Sequence, residues 1–148
     1  MKFLGLLLAP LLLGCLAAGP SYDEVARSSS PDQRIDAIVI ESNGGATTSF
    51  RYDVCLAASG GRCTASDSIA QLYGASRSDQ AYGVNVRWVN PALLHIEYLD
   101  AQRVVVKKPV GQVDGHTVNV VLQSGIADTA APPGGMLYNV QGRPQDAL

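Results

Sequence analysis

Three features of the sequence predict a small, single-domain, all-β fold. From Arg34 onward, short segments rich in Val, Ile, Thr and Tyr are separated by turn-forming residues at spacings of roughly 8 to 12 residues. Within the segments apolar and polar residues alternate, the period of a strand with one buried face. No stretch sustains a helical period; Asp67 to Tyr73 is the one ambiguous piece. The expectation is about six or seven mostly antiparallel strands over residues 34–126, joined by hairpins into a curled meander or a sandwich, with one crossover left open.

Asn43-Gly44 marks the first turn, because both residues tolerate positive φ and suit a type I′ hairpin. A two-residue loop there sets Ala37 opposite Phe50, Val39 opposite Thr48 and Asp36 opposite Arg51, with apolar pairs on one face and the ion pair on the other. Ile38 and Ile40 break the alternation of Ile35 to Ser42, so this strand is expected to be covered on both sides over part of its length. Ser59-Gly60-Gly61 lies midway between Cys55 and Cys63, and a hairpin folded there sets the two cysteines across from each other. Cys55 shares strand phase with Arg51 and Asp53, which places the bridge on the more polar face, as a staple on a hairpin.

Tyr82 to Val89 and Leu93 to Leu99 form the clearest hairpin, turning through Asn90-Pro91-Ala92. A three-residue loop faces Trp88 with Leu94, Val86 with Ile96 and Val84 with Tyr98, all on one side; a one-residue slip would set Val86 against His95. The other side then carries Asn85, Arg87, His95 and Glu97. Arg103 to Val110 and His116 to Ser124 make an expected last hairpin around Asp114-Gly115. The text after Ile126, with Pro132-Pro133-Gly134-Gly135, cannot continue a sheet, so residues 127–148 are expected to form a Pro/Gly-rich tail. Tyr73, Tyr82, Trp88 and Tyr98 are expected mainly to fill the core.

The start of the chain has a different texture. Lys2 precedes the apolar run Phe3 to Leu13, which is shorter than the about 20 residues a spanning helix needs. A cation, a short apolar middle and a small residue before the cut make the layout of a secretory signal peptide. Leu12-Leu13-Gly14-Cys15 resembles the lipobox of bacterial lipoproteins, with Leu13 a less usual occupant of its slot. The resemblance implies cleavage of residues 1–14 and acylation of Cys15, with several acyl chains making a durable membrane anchor. Leu16, where an inner-membrane retention signal would have Asp, favours the outer membrane, facing the periplasm. Residues 15–33, rich in small and turn-forming residues, are expected to tether the lipid to the domain.

Loss of residues 1–14 removes Lys2 alone among the charged residues, leaving ten basic and thirteen acidic side chains and a net charge of −3. That balance, with no basic run longer than Lys107-Lys108, lacks the electrostatic footprint of a nucleic-acid binder. With Cys15 committed to lipid, Cys55 and Cys63 remain in a compartment where disulfides persist, and their pairing contributes about 2.5 kcal/mol on the loop-entropy account. A zinc site lacks partners, because the chain has two histidines and neither stands at ligand spacing from the cysteines.

Few residues offer chemistry. His95-x-Glu97 puts an imidazole and a carboxylate on one strand face, where a solvated pairing with Arg87 is the expected state. The downstream cysteine pair of a His-x-Glu deaminase site is missing. Gly74-Ala75-Ser76-Arg77-Ser78 approaches the nucleophile elbow but lacks its last glycine and its strand-turn-helix setting, so it is expected to be a loop. No cofactor or metal is implied, and no catalytic residue is assigned.

The strings Gly45-Ala46-Thr47-Thr48-Ser49-Phe50-Arg51-Tyr52-Asp53-Val54, Tyr82-Gly83-Val84-Asn85-Val86-Arg87-Trp88 and Leu94-His95-Ile96-Glu97-Tyr98 resemble those of small uncharacterised lipoproteins of Gram-negative bacteria. The likeness covers roughly residues 35 to 100, is structural in type and carries no activity. The functional expectation is a non-enzymatic envelope lipoprotein, an accessory or binding module with a periplasmic protein partner. The candidate binding patch is Asn85, Arg87, His95 and Glu97. An inhibitor or immunity protein against a toxin or cell-wall hydrolase is the alternative, and a hydrolase using Glu97 and His95 is a third reading.

Overall fold

The computed structural model describes residues 19–127 except Asp79. Nine strands follow in order: β1 (Ser21–Ser29), β2 (Ile35–Asn43), β3 (Arg51–Ala58), β4 (Ala70–Tyr73), β5 (Val84–Asn90), β6 (Leu93–Tyr98), β7 (Arg103–Val106), β8 (Val110–Val113) and β9 (His116–Ser124). A single 3₁₀ turn among the described residues, Ala65–Asp67, ends where the ambiguous stretch Asp67 to Tyr73 begins, and that stretch resolves into β4. One sheet has the order β1-β2-β3-β4-β7 and the other β5-β6-β9-β8. All pairings are antiparallel except β6 with β9, which is parallel. The fold is therefore all-β, and it is a two-sheet sandwich. It has nine strands among the described residues, not six or seven, and a crossover replaces the meander: the chain leaves β6 for β7 in the first sheet and returns through β8.

Alternation builds the core. Ile35, Ala37 and Val39 of β2 and Tyr52 and Val54 of β3 point between the sheets, where Val84, Val86, Leu94, Ile96, Val118 and Val120 meet them. Burying these branched side chains on one face is what makes the alternating segments stable as strands. As expected, β2 is covered on both faces: Ile38 and Ile40 turn outward and pack with Ala57 and Cys63 in a second, smaller cluster. Close approach of the layers needs glycine at two points. A Cβ on Gly111 would lie 2.5 Å from the Leu56 Cδ1 methyl, and one on Gly83, which has φ of +80°, would lie 2.5 Å from the Tyr52 ring.

Several expectations need correction. Residues 21–29, assigned to the tether, are β1, paired with β2 from Ser21↔Asn43 to Ser29↔Asp36. Asn43-Gly44 is not a two-residue hairpin turn. Asn43 Oδ1 accepts the Gly45 N–H at 2.9 Å, opening a longer loop that closes at Ser42↔Arg51. The β2–β3 register therefore pairs Asp36 with Ala57, Ala37 with Leu56 and Val39 with Val54, instead of Arg51, Phe50 and Thr48. The faces survive because the register shift is even.

Asp114-Gly115 does turn with both residues at positive φ, but it joins β9 to β8 only; Arg103–Val106 belongs to the other sheet. By contrast, the β5–β6 register follows the sequence reading at Val84↔Tyr98, Val86↔Ile96 and Trp88↔Leu94, but the turn is Pro91-Ala92, not three residues: Asn90 stays in β5 and pairs with Leu93 across a bulge at Val89. Residues 1–18, with Cys15 and the signal segment, and residues 128–148 of the expected tail lie outside the described residues.

Candidate functional site

The outer face of the second sheet carries the expected patch. Strand pairing sets Asn85 beside Glu97 and Arg87 beside His95. Arg87 donates through Nε to Glu97 Oε1 at 2.7 Å, and its Nη2 lies 2.6 Å from the same oxygen. Arg87 Nη2 also meets His95 Nδ1 at 3.0 Å, a contact that requires the imidazole proton on Nε2. Glu97 and His95 are largely covered, at 10% and 16% side-chain exposure, while Arg87 stays half exposed at 52%. Asn85 departs from the set: its Oδ1 accepts the Val86 N–H at 2.8 Å, so it serves the backbone. A cavity of about 10 Å³ lined by Gly83, Asn85, Glu97 and Ile126 lies alongside, room for about one water. Chemically the patch is a guanidinium braced by a carboxylate, suited to engaging an anionic group.

Cys55 and Cys63 come together at disulfide distance, with Cα atoms 6.2 Å apart. Their setting differs from the hairpin expected. Cys63 lies in an irregular segment after the Ser59-Gly60 turn, and Cys55 is fully buried beside Ile38 on the outer face of the first sheet. The bridge thus ties the loop of residues 59–67 down over that face. An open depression of about 450 Å³ lies next to it, lined by Tyr22, Ile40, Cys63, Thr64, Ala65 and Ser66.

Two buried carboxylates of β2 sit in clusters that the sequence did not predict. On the outer face of β2, Asp36 accepts from Arg27 Nη1 at 2.7 Å, Ser29 Oγ at 2.7 Å and the Gly60 N–H at 2.9 Å. Arg27 also takes both oxygens of Glu24 and the Gly61 carbonyl, so β1, β2 and the disulfide loop meet at one guanidinium. Burial works to raise the Asp36 carboxyl, but the Ser29, Gly60 and Arg27 hydrogen bonds outweigh it and hold the group below its ordinary value.

On the inner face, at the other end of the strand, Glu41 is buried across from Tyr52, with Arg77 Nη1 3.5 Å from its Oε2. Glu41 Oε2, Tyr52 Oη and Arg77 Nη1 all lack hydrogen-bond geometry to any partner. Burial pushes Glu41 above its ordinary value, with Tyr52 and Arg77 offsetting part of the rise. Burial and then the charge of Glu41 push the Tyr52 phenol up as well. Arg77 lies over the rings of Phe50, at 3.5 Å, and Tyr82, at 4.4 Å, and its Nη2 donates to the Tyr82 hydroxyl. The Gly74-to-Ser78 string is thus a loop, as expected, but it supplies the cation of a core cluster.

Among the described residues no group of three or more His, Cys, Asp or Glu side chains is arranged to hold a metal. No described helix is long and apolar enough to cross a membrane. The fold and its surfaces define a disulfide-bridged two-sheet β-sandwich with an open polar sheet face. Comparison with known protein families, curated proteins and solved structures gives no match.

Proposed function

We propose that the chain is a lipid-anchored protein of the bacterial cell envelope, held at the outer membrane through Cys15, that works by binding a periplasmic protein rather than by catalysis. The observation that carries the anchor is the Leu12-Leu13-Gly14-Cys15 tetrapeptide closing a short apolar run. A cysteine pair at bridging distance supports an oxidising compartment. The arrangement around Arg87 supports binding over catalysis: its half-exposed guanidinium engages Glu97 Oε1 and His95 Nδ1, so the carboxylate and the imidazole hold a cation at the surface.

The test is in two arms. Labelled palmitate should enter the wild-type chain and not Cys15→Ala, which should leave the membrane fraction or remain unprocessed. A photo-crosslinker at Val121, which pairs with His95 on the same outer face, should capture a discrete partner, and the capture should be lost in Arg87→Glu. A mature, unlabelled protein that still fractionates with membranes would defeat the anchor. Hydrolytic activity abolished by His95→Ala with Glu97→Ala would defeat the binding reading in favour of an enzyme.

A further inference from the structure

The start of β1 sets how the domain meets the membrane. Only Leu16 to Pro20 separate Cys15 from Ser21, the first residue of β1. Fully extended, six Cα steps reach at most about 20 Å, so a lipidated Cys15 would keep this end of the sandwich within about 20 Å of the lipid, nearer than the opposite end.

Strand register identifies what lies at that end. Ser21 pairs with Asn43, Ser42 with Arg51, Arg51 with Tyr73, and Tyr73 with Arg103, while Gly83 abuts Tyr52 from the second sheet. The end therefore gathers Tyr22, Phe50, Tyr52, Tyr73, Tyr82 and Tyr98; Trp88 alone of the described aromatics lies at the opposite end, where its Nε1 donates to the Ser28 carbonyl. All four arginine–aromatic contacts of the described chain fall here: Arg51 with Tyr22 and Arg103 with Tyr73 toward the surface, and Arg77 with Phe50 and with Tyr82 behind them in the core cluster. The protruding loop from Asn43 to Phe50 contains no ionisable side chain, and Tyr22 is 56% exposed. Turns at the opposite end carry Asp32, Arg34, Arg62 and Asp114.

We infer that the Asn43–Phe50 loop, with exposed Tyr22 beside Arg51 and the Arg103–Tyr73 pair, forms a membrane-contact surface that seats the sandwich end-on in the lipid headgroup layer. Tyrosine and arginine suit that layer, with the ring or stem toward the acyl boundary and the polar tip toward water. An uncharged loop avoids the cost of stripping water from ions. Acidic Asp23 and Asp100 share this end with the arginines, so the contact is interfacial burial and not attraction to anionic lipid. The opposite end and the Arg87 face are thereby left free for a partner. The inference rests on lipidation of Cys15.

The test uses the full lipidated chain in phosphatidylcholine vesicles with brominated acyl chains, which quench tryptophan at the bilayer. Wild-type emission, from Trp88 alone, should be unchanged. Added emission from Thr47→Trp should shift to the blue and be quenched about twofold, whereas that from Ala92→Trp in the opposite turn should not. Replacing phosphatidylcholine by anionic phosphatidylglycerol should leave these ratios unaltered. Acylated, vesicle-bound protein in which Thr47→Trp and Ala92→Trp are quenched equally would overturn the orientation while leaving the anchor standing. Protein without an acyl chain would overturn both.

Discussion

Asp36 and Glu41 lie on the same strand, are both buried, and differ in nearly every other respect. Asp36 faces outward into a closed network in which three donors meet its two oxygens. Glu41 faces inward against a tyrosine and a guanidinium at 3.5 Å, with one carboxylate oxygen unpartnered. Burial acts on both in the same direction, yet their ionisation shifts in opposite directions. At Asp36 the hydrogen bonds to the charged form outweigh burial, whereas at Glu41 burial outweighs what Tyr52 and Arg77 return. The outer network fastens β1 and the disulfide loop to the sheet; the inner cluster is held mainly by the packing of Arg77 on Phe50 and Tyr82.

This contrast is broken most directly by Asp36→Ala. Removing the acceptor strands Arg27, Ser29 and the Gly60 N–H, and should cost about 3 kcal/mol in urea unfolding at neutral pH. A loss no larger than that of Glu41→Gln would end the distinction. Gly83→Ala probes the packing that holds the inner cluster: a positive φ and a Cβ driven into the Tyr52 ring should cost about 2 to 3 kcal/mol. Gly111→Ala, which meets only a movable Leu56 methyl, should cost about 1 kcal/mol, and equal losses would mean that the Tyr52 stack is not rigid.

Cys63→Ser sharpens the outer half. Loss of the bridge should lower stability by about 2.5 kcal/mol on the loop-entropy account, and the reduced wild type should match it. Glu41→Gln should have the smallest effect, within about 1 kcal/mol at pH 7, because a carboxylate disfavoured by burial is exchanged for an amide. Its pH dependence is the finer test. The Glu41 value is raised above 4.5 in the fold, so its contribution is fully present below pH 4.5 and is lost as pH rises through the folded value. Wild type should therefore gain on Glu41→Gln as pH falls from 7 toward 4.5. Asp36 acts oppositely: its folded value lies below 3.8, so its contribution is present above that pH and lost as pH falls through the folded value. Thermal melts of wild type, Glu41→Gln and Asp36→Asn between pH 3 and 7 read both slopes.

Of the candidate site, the Arg87–His95–Glu97 constellation was legible because its three residues lie on one hairpin whose short turn sets the register. The bridge between Cys55 and Cys63 was legible as a pairing and wrong as a hairpin, since chain separation says which sulfurs can meet and nothing of the backbone between them. The Asp36 and Glu41 clusters were not legible. Each draws its cation from another segment, Arg27 on a strand read as tether and Arg77 in a stretch read only as a loop.

Alternation and turn residues by themselves determined that residues 34–126 fold as strands, which side of β2, β3, β5 and β6 faces the core, and the β5–β6 register. Those are local matters, governed by a two-residue period and by loops too short to allow slippage. Even where the Asn43 loop proved longer, the inward set of residues was right, because an odd slip would expose the whole apolar face. Tertiary structure alone decided that β1 joins β2, that β7 leaves for the first sheet and that β9 lies parallel to β6. The β4–β7 and β6–β9 pairings close long loops, whose entropy cost changes little with length, so local sequence cannot choose among them and the burial of the shared core does. β1 meets β2 across Ser30 to Arg34 alone, and reads as tether because its run from Ser21 to Ser29 holds few apolar residues.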